Sequence, residues 1–368
     1  MRNLGFGRYR MNTTNVDKYM NAVRKRQEYQ LKEWYGIRAA LGCSSWAWFY
    51  ALLGGREAGK SYSVTEFFVR KWKNDGIPFT WIRLNEASMK KMLANNAEKL
   101  VDADIYRKYG LDLTVKGNVV YDHGEKMATV LALSTFANDK GVALFDKDFL
   151  DKNTLRGGKM WYHICLDEFQ LEKTQRSQGD IAYQFVNQME NLLRSTKERM
   201  RIFLIGNTLE DASDILTMFN FIPEEFGRYK LKSKHCYIDY MAPTEAYKKR
   251  RKGTIGDILA GETSNFTNKI DFDKSLVVKN QRLHRPTAVI HFSKTVKFTV
   301  WDSNIIAPYN KEKCKLNIAM RPYIDLLFNQ QLRDNIIEMF DNRAFYYKNL
   351  ITNKKFQKEI SLLKPRKQ

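Results

Sequence analysis

Apolar residues in this chain fall into short unbroken runs that alternate with helical spacings. Trp46 to Leu53 is continuously apolar, the pattern of a strand buried on both faces of a parallel sheet. Beyond Ser61, the residues Val64, Phe67, Phe68 and Trp72 recur at helical spacing and stop at Gly76, which predicts an amphipathic helix. Runs at 78–84, 161–166 and 202–205 predict further strands, and strands alternating with helices predict a parallel α/β sheet. From about residue 275 the pattern changes. "TAVIHFS" and "VKFTVWDS" read as strands that turn at Ser293-Lys294, and "KLNIAM" as a third strand. "RPYIDLLFNQQLRDNIIEMF" then reads as a helix, from Ile324, Leu327, Phe328, Leu332 and Ile336. Near the amino terminus, "VDKYMNAVRKRQEYQLKEWY" behind Thr14 or Asn15 as cap predicts a helical extension over residues 1–44.

Composition narrows the class. A chain of 368 residues has room for two domains, and 43% hydrophobic with 13% aromatic residues excludes a disordered tail. The net charge of +21 is uneven: residues 230 onward hold 28 Lys/Arg against 13 Asp/Glu. The carboxyl-terminal part therefore suits a polyanionic partner. Four scattered cysteines without a C-x-x-C pair exclude a disulfide framework and a zinc site, and five histidines show no metal spacing. With no signal-peptide pattern and no long apolar run, the expectation is a soluble intracellular protein without a membrane partner.

The chemistry starts at "LLGGREAGKS". Gly54, Gly55, Arg56, Glu57, Ala58, Gly59, Lys60 and Ser61 form a G-x-x-x-x-G-K-S loop between the first strand and its helix, with Tyr62 following. In a P-loop the backbone N–H groups turn toward the phosphates of ATP, the lysine reaches the β/γ-phosphates, and the hydroxyl holds Mg²⁺. "MWYHICLDEFQ" adds two carboxylates at a strand end: Asp167 behind the metal and Glu168 to polarise the attacking water. Asn207 ends the run 202–205, where an amide can sense the γ-phosphate or the lytic water. These elements predict an additional-strand, catalytic-glutamate (ASCE, RecA-like) P-loop NTPase. Arg83, at the end of "TWIRL", is expected near the nucleotide.

The order "GGREAGKS", "WIRL", "ALSTFANDKG", "ICLDEF", "LLRSTKERMRIFLIGN" and "RRKGTIGDILAGET" resembles the DNA-packaging motor ATPases of small, short-tailed, protein-primed phages of the phi-twenty-nine type. The resemblance runs from about residue 45 to the carboxyl terminus and is specific in residues 50–262. It implies a homomeric ring, a pentamer, at the portal vertex of an empty procapsid, driving double-stranded DNA inward with ATP and Mg²⁺, with a packaging RNA as a further partner. The protein would work in the host cytoplasm and leave before the virion matures. It implies Lys60 and Ser61 for phosphate and Mg²⁺, Asp167 for Mg²⁺, and Glu168 as the catalytic carboxylate. It also implies an arginine finger from the neighbouring subunit at Arg194, with Arg199 and Arg201 as competitors, and Lys140 as a second basic residue across that boundary.

The expected division is an extension over 1–44, an ATPase domain over 45–208, a lid or linker over 209–270 and an α+β RNase H-like domain over 271–368. The four basic residues Lys249 to Lys252 are candidates for phosphate or subunit contact. A two-metal nuclease needs an acid in the first strand of its last domain, where this chain has His291 and Phe292. Asp302, Asp325, Asp334, Glu338 and Asp341 are spread out, so a vestigial, nucleic-acid-binding domain is the expectation. The rival readings are a nuclease-competent terminase large subunit, a P-loop helicase or pilus-type motor, and a nucleic-acid binder with an inactive loop.

Overall fold

The computed structural model describes residues 32–135, 147–169, 181–193, 199–207, 214–260, 275–278, 283–311, 314 and 316–364. The chain divides into two compact units, Met1–Leu209 with Glu225–Ile270, and Glu210–Glu224 with Asp271–Gln368.

The first unit holds a nine-stranded sheet. Its strands are β1 (Phe49–Gly54), β2 (Phe79–Arg83), β3 (Leu113–Lys116), β4 (Val119–Asp122), β5 (Glu125–Ala132), β6 (Trp161–Asp167), β7 (Arg199–Asn207), β8 (Gly227–Leu231) and β9 (Cys236–Tyr240). The order is β3-β4-β5-β2-β6-β7-β1-β9-β8. From β5 through β9 every neighbouring pair is parallel, while the β3–β4 hairpin and β8 close the two edges antiparallel. Central strands buried on both faces need apolar residues at every position. Leu52, Leu53, Ile164, Cys165, Leu166, Phe203 and Leu204 are accordingly buried.

The helix Lys60–Asp75 runs between two glycines in the left-handed region, Gly59 at φ +84° and Gly76 at φ +63°. It buries Val64, Phe67, Phe68 and Trp72, as its spacing predicts. Phe68 meets Phe79, Trp81, His163 and Phe203 at ring-centre distances of 5.1–6.1 Å. Burying each such ring contributes roughly 1.5–3 kcal/mol, which anchors this helix, and the loop before it, on the sheet.

Several expectations need correction. The first strand starts at Phe49 and not at Trp46, because Ser45 and Trp46 form a turn. Part of the segment expected as a lid or linker joins the sheet, as β8 and β9. Its β9 pairs with β1 from Phe49↔Cys236 to Leu53↔Tyr240, because its run of buried residues fits the vacant side of β1. The boundary at residue 45 also fails. Ile37 and Ala40, on the helix Ile37–Cys43, are fully packed in the core of this unit. The capped helix behind Thr14 or Asn15 lies outside the described residues.

The second unit holds β10 (Pro286–His291), β11 (Lys297–Trp301), β12 (Ile305–Pro308), β13 (Leu316–Ala319) and β14 (Tyr346–Tyr347), in the order β13-β10-β11-β12-β14. β10, β11 and β12 are antiparallel neighbours, whereas β13 is parallel to β10 and β14 to β12. Phe356, on the helix Leu350–Ser361, is fully buried against Phe292, Phe298, Phe345 and Tyr347. The expected helix from residue 321 begins only at Gln330. Asn329 caps it by accepting from the Leu332 N–H at 3.0 Å, and Leu327, counted on the apolar face, is 92% exposed in the preceding loop.

Candidate nucleotide site

β1, β6 and β7 bring the predicted chemistry to one edge of the sheet. Gly54 pairs with Asn207 across β1 and β7, and Asp167 pairs with Ile205 across β6 and β7. The loop, both carboxylates and the amide therefore meet at the carboxyl ends of neighbouring strands, where α/β proteins bind ligands. In the loop, Glu57 takes φ +60° and Gly59 φ +84°. The glycine relieves one of these left-handed positions, and the glutamate carries the strain of the other.

Lys60 is buried, with Nζ donating to the Gly54 and Gly55 carbonyls at 2.9 and 2.6 Å and to Asn207 Oδ1 at 3.5 Å. Burial lowers its pKa to about 8, against the opposing pull of Asp167 and Glu168. Ser61 Oγ donates to Asp167 Oδ1 at 3.2 Å. Asp167 is buried and its pKa is raised by that burial, against the attraction of Arg83. Arg83, on β2, donates through Nη1 to Asp167 Oδ2 at 2.7 Å and through Nη2 to Glu168 Oε2. Ser61 and Asp167 are hard oxygen donors side by side, a donor set that suits Mg²⁺ completed by phosphate and water oxygens.

Glu168 leaves the strand at φ +54° with a side chain 55% exposed, so it turns from the sheet toward solvent. The next residue fixes that turn. Phe169 is buried, donates its N–H to the Ile205 carbonyl at 3.2 Å, and lies on Gly206. A Cβ at Gly206 would stand 2.8 Å from Phe169 Cε1 and 3.0 Å from Leu53 Cδ2. The glycine before Asn207 thus admits the ring that holds Glu168. Its sequence signal is the Gly-Asn pair at the strand end.

The outer side of the loop is gripped by residues not assigned to it from sequence. Tyr247 OH donates to the Arg56 carbonyl at 2.9 Å, Arg250 Nη2 to the Glu57 carbonyl at 2.7 Å, and Arg251 Nη1 to Glu57 Oε2 at 3.0 Å. Tyr35 N–H donates to the Ala58 carbonyl at 2.9 Å, and the Arg250 guanidinium lies 3.7 Å from the centre of the Trp34 ring. Two of the four basic residues considered for phosphate contact, Arg250 and Arg251, are engaged on this loop. Among the other predicted residues, Arg56 and Tyr62 are exposed. Arg199 and Arg201 stand at the opposite end of β7 from Asn207, over the Trp161 ring at 5.8 and 4.3 Å. Lys140 and Arg194 lie outside the described residues.

Among the described residues of the second unit, no group of carboxylates could hold a metal ion. Asp302 is in the turn after β11, Asp325 pairs with Lys294 at 2.8 Å, Asp334 accepts from Gln330 at 3.0 Å and Asp341 pairs with Lys364.

The molecule is thus a mixed α/β protein on a large, parallel-rich sheet, with a glycine loop and paired carboxylates at the sheet's carboxyl edge. No protein-family model and no curated protein matches the sequence. Solved structures do share its fold. It is similar to the Phi-28 gp11 DNA packaging motor, with a TM-score of 0.63 at 12% identity over 91% of this chain and 99% of that one. It is also similar to a chain of the bacteriophage Phi-29 viral genome packaging motor assembly, with a TM-score of 0.62 at 18% identity over 90% of this chain and 100% of that one. At these identities the likeness is one of fold.

Proposed function

We propose that this protein is an ATP-hydrolysing motor that drives double-stranded viral DNA into a preformed capsid, as a homomeric ring at the portal vertex. The observation that carries the reading is the meeting of Lys60, Ser61, Asp167, Glu168 and Asn207 at the carboxyl ends of three adjacent strands. β7 stands between the loop strand and the Asp167 strand, the additional strand of the ASCE, RecA-like class. The fold shared with two packaging motors supports the direction of the assignment.

Lys60 leaves its two carbonyls to meet the β/γ-phosphates, and the N–H groups of the loop cradle the remainder. Ser61 and Asp167 would hold Mg²⁺, which supplies neutralisation of phosphate charge. Glu168, solvent-facing, orients and polarises the attacking water, and Asn207 senses the phosphate end. Arg194 completes the site of the neighbouring subunit, with Lys140 as a second cation there. The second unit is a vestigial RNase H-like domain. β10 runs Pro286–His291 without a carboxylate, which argues against two-metal cleavage, and its basic charge suits DNA or a packaging RNA.

ATP turnover tests the reading. Lys60→Ala should lose nucleotide binding or turnover, and Glu168→Gln should bind ATP and lose hydrolysis. Arg194→Ala subunits mixed with Glu168→Gln subunits should recover turnover that neither has alone. Hydrolysis by Glu168→Gln at the wild-type rate would remove the proposed base. Capsid-dependent protection of DNA from nuclease, lost with Glu168→Gln, would separate a packaging motor from a helicase.

A further inference from the structure

At the sheet edge opposite the nucleotide crevice, four strand starts lie side by side. The N–H groups of Trp48 and Phe49 both donate to the His235 carbonyl, at 2.9 and 3.0 Å, and Ile202 N–H donates to the Trp48 carbonyl at 2.7 Å. His163 is in register with Arg201. His163, Arg201, Trp48 and His235 therefore form a row across the sheet. On β7, Arg201 precedes Phe203 by two positions, so the alternation of a strand puts it on the face of the stacked pair Phe203 and Tyr50.

The row combines aromatic rings with cations at its margins that no carboxylate pairs. Trp48 is 47% exposed and stacks on the exposed His235 at 4.9 Å. Arg199 and Arg201 lie over the Trp161 ring at 5.8 and 4.3 Å, and Arg201 also meets the Tyr50 side chain. Lys232 and Lys234, both exposed, occupy the turn that leads into His235. Residues 44–50, 156–164, 199–205 and 229–237, which build this edge, contain no aspartate or glutamate, and Asp75, which lies beside it, is taken by Lys71 and Arg156 at 2.9 and 3.0 Å. No ion pair among the described residues engages Arg199, Arg201, Lys232 or Lys234.

Cations without carboxylates ask for an anionic partner, and solvent-facing rings ask for flat apolar faces. A nucleic-acid strand supplies both, phosphates for the cations and an unstacked base for the ring. A duplex supplies phosphates but keeps its base faces covered, so it has no use for Trp48. We propose that this edge binds a single-stranded or looped stretch of nucleic acid. Its phosphates lie on Arg199, Lys232 and Lys234, and a base stacks on the Trp48–His235 pair. The edge is at the far ends of the strands from the crevice, so its occupancy does not depend on the ATP reading.

The full-length chain would be titrated with fluorescein-labelled deoxythymidine and uridine oligomers and with a duplex of the same length, followed by anisotropy over a range of salt. The paired change Lys232→Ser/Lys234→Ser should weaken single-strand binding roughly tenfold and lower the salt slope by about 1.4, near 0.7 for each lost phosphate contact. Trp48→Ala should weaken both single-stranded probes about tenfold and leave the duplex unchanged. Quenching of tryptophan emission by unlabelled oligomer should fall in Trp48→Phe, a readout that a purely structural tryptophan would not move. Preference between the thymidine and uridine probes separates a DNA strand from an RNA loop. Wild-type affinity in both the lysine and tryptophan variants, equal losses for duplex and single strand on Trp48→Ala, or undiminished quenching in Trp48→Phe would each overturn the proposal. If Trp48→Ala loses its circular dichroism spectrum, the lysine pair and Trp48→Phe decide.

Discussion

Arg83 Nη1 lies 2.7 Å from Asp167 Oδ2, while the other arm of the same guanidinium reaches Glu168. One cation on β2 thus neutralises both adjacent carboxylates at the end of β6, and it does so from a position only 12% exposed. Without it, two negative charges would share a partly desolvated corner.

Arg83→Ala should therefore cost about 3 kcal/mol of stability, because buried Asp167 loses its partner. Turnover should drop about tenfold as Glu168 loses its orientation, with nucleotide binding largely retained. Arg83→Lys should recover less than half of the loss, since a single ammonium cannot span both carboxylates. Denaturant unfolding and steady-state ATP hydrolysis check the two effects separately. Unchanged turnover in Arg83→Ala would show that Glu168 is positioned by its backbone alone.

Gly206→Ala tests the support beneath Glu168. The new methyl would fall 2.8 Å from Phe169 Cε1 and must displace the ring. Overpacking of this kind costs about 1–3 kcal/mol, and turnover should fall more than nucleotide affinity. Adding Phe169→Leu should restore part of the stability. A single variant with wild-type stability and turnover would mean that the ring relocates freely.

Lys60 gives nucleotide affinity a pH dependence. Burial holds its pKa at about 8 in the free crevice. Arriving phosphates favour the charged form, so the bound pKa is higher than the free one. Binding then takes up a proton above about pH 8, and affinity falls as pH rises, by up to about tenfold per unit. Titrations of a fluorescent ATP analogue from about pH 6.5 to about 9.5 should show the inflection, and Lys60→Arg should remove it.

His163 gives stability a dependence on acid. Burial, reinforced by the nearby Arg201 charge, lowers its pKa to about 3 from the ordinary 6.5. The folded protein therefore favours the neutral ring. Its contribution is complete above the unfolded pKa and is lost as pH falls from about 6.5 toward 3. In His163→Phe, which keeps the ring stack with Phe67 and Phe68, the fall in midpoint denaturant concentration over that window should be shallower.

The chain order alone determined the local chemistry. An apolar run, a glycine loop with Lys60 and Ser61, and a helix with Phe67, Phe68 and Trp72 on one face are legible because turn geometry and side-chain periodicity are short-range properties. So are Asp167 and Glu168 at the end of a buried strand. Strand neighbours are not legible in this way, because any apolar run fits beside any other until the whole sheet is assembled. Only the tertiary structure recruited β9 from a segment that reads as a linker and packed Ile37 and Ala40 into the core. It alone brought Arg83 to both carboxylates, Phe169 onto Gly206, and Tyr247, Arg250 and Arg251 onto the outside of the loop. These partners lie from tens of residues to nearly two hundred apart in sequence, and no local pattern links them. Their meeting is set by sheet register and close packing, which act on the folded molecule as a whole.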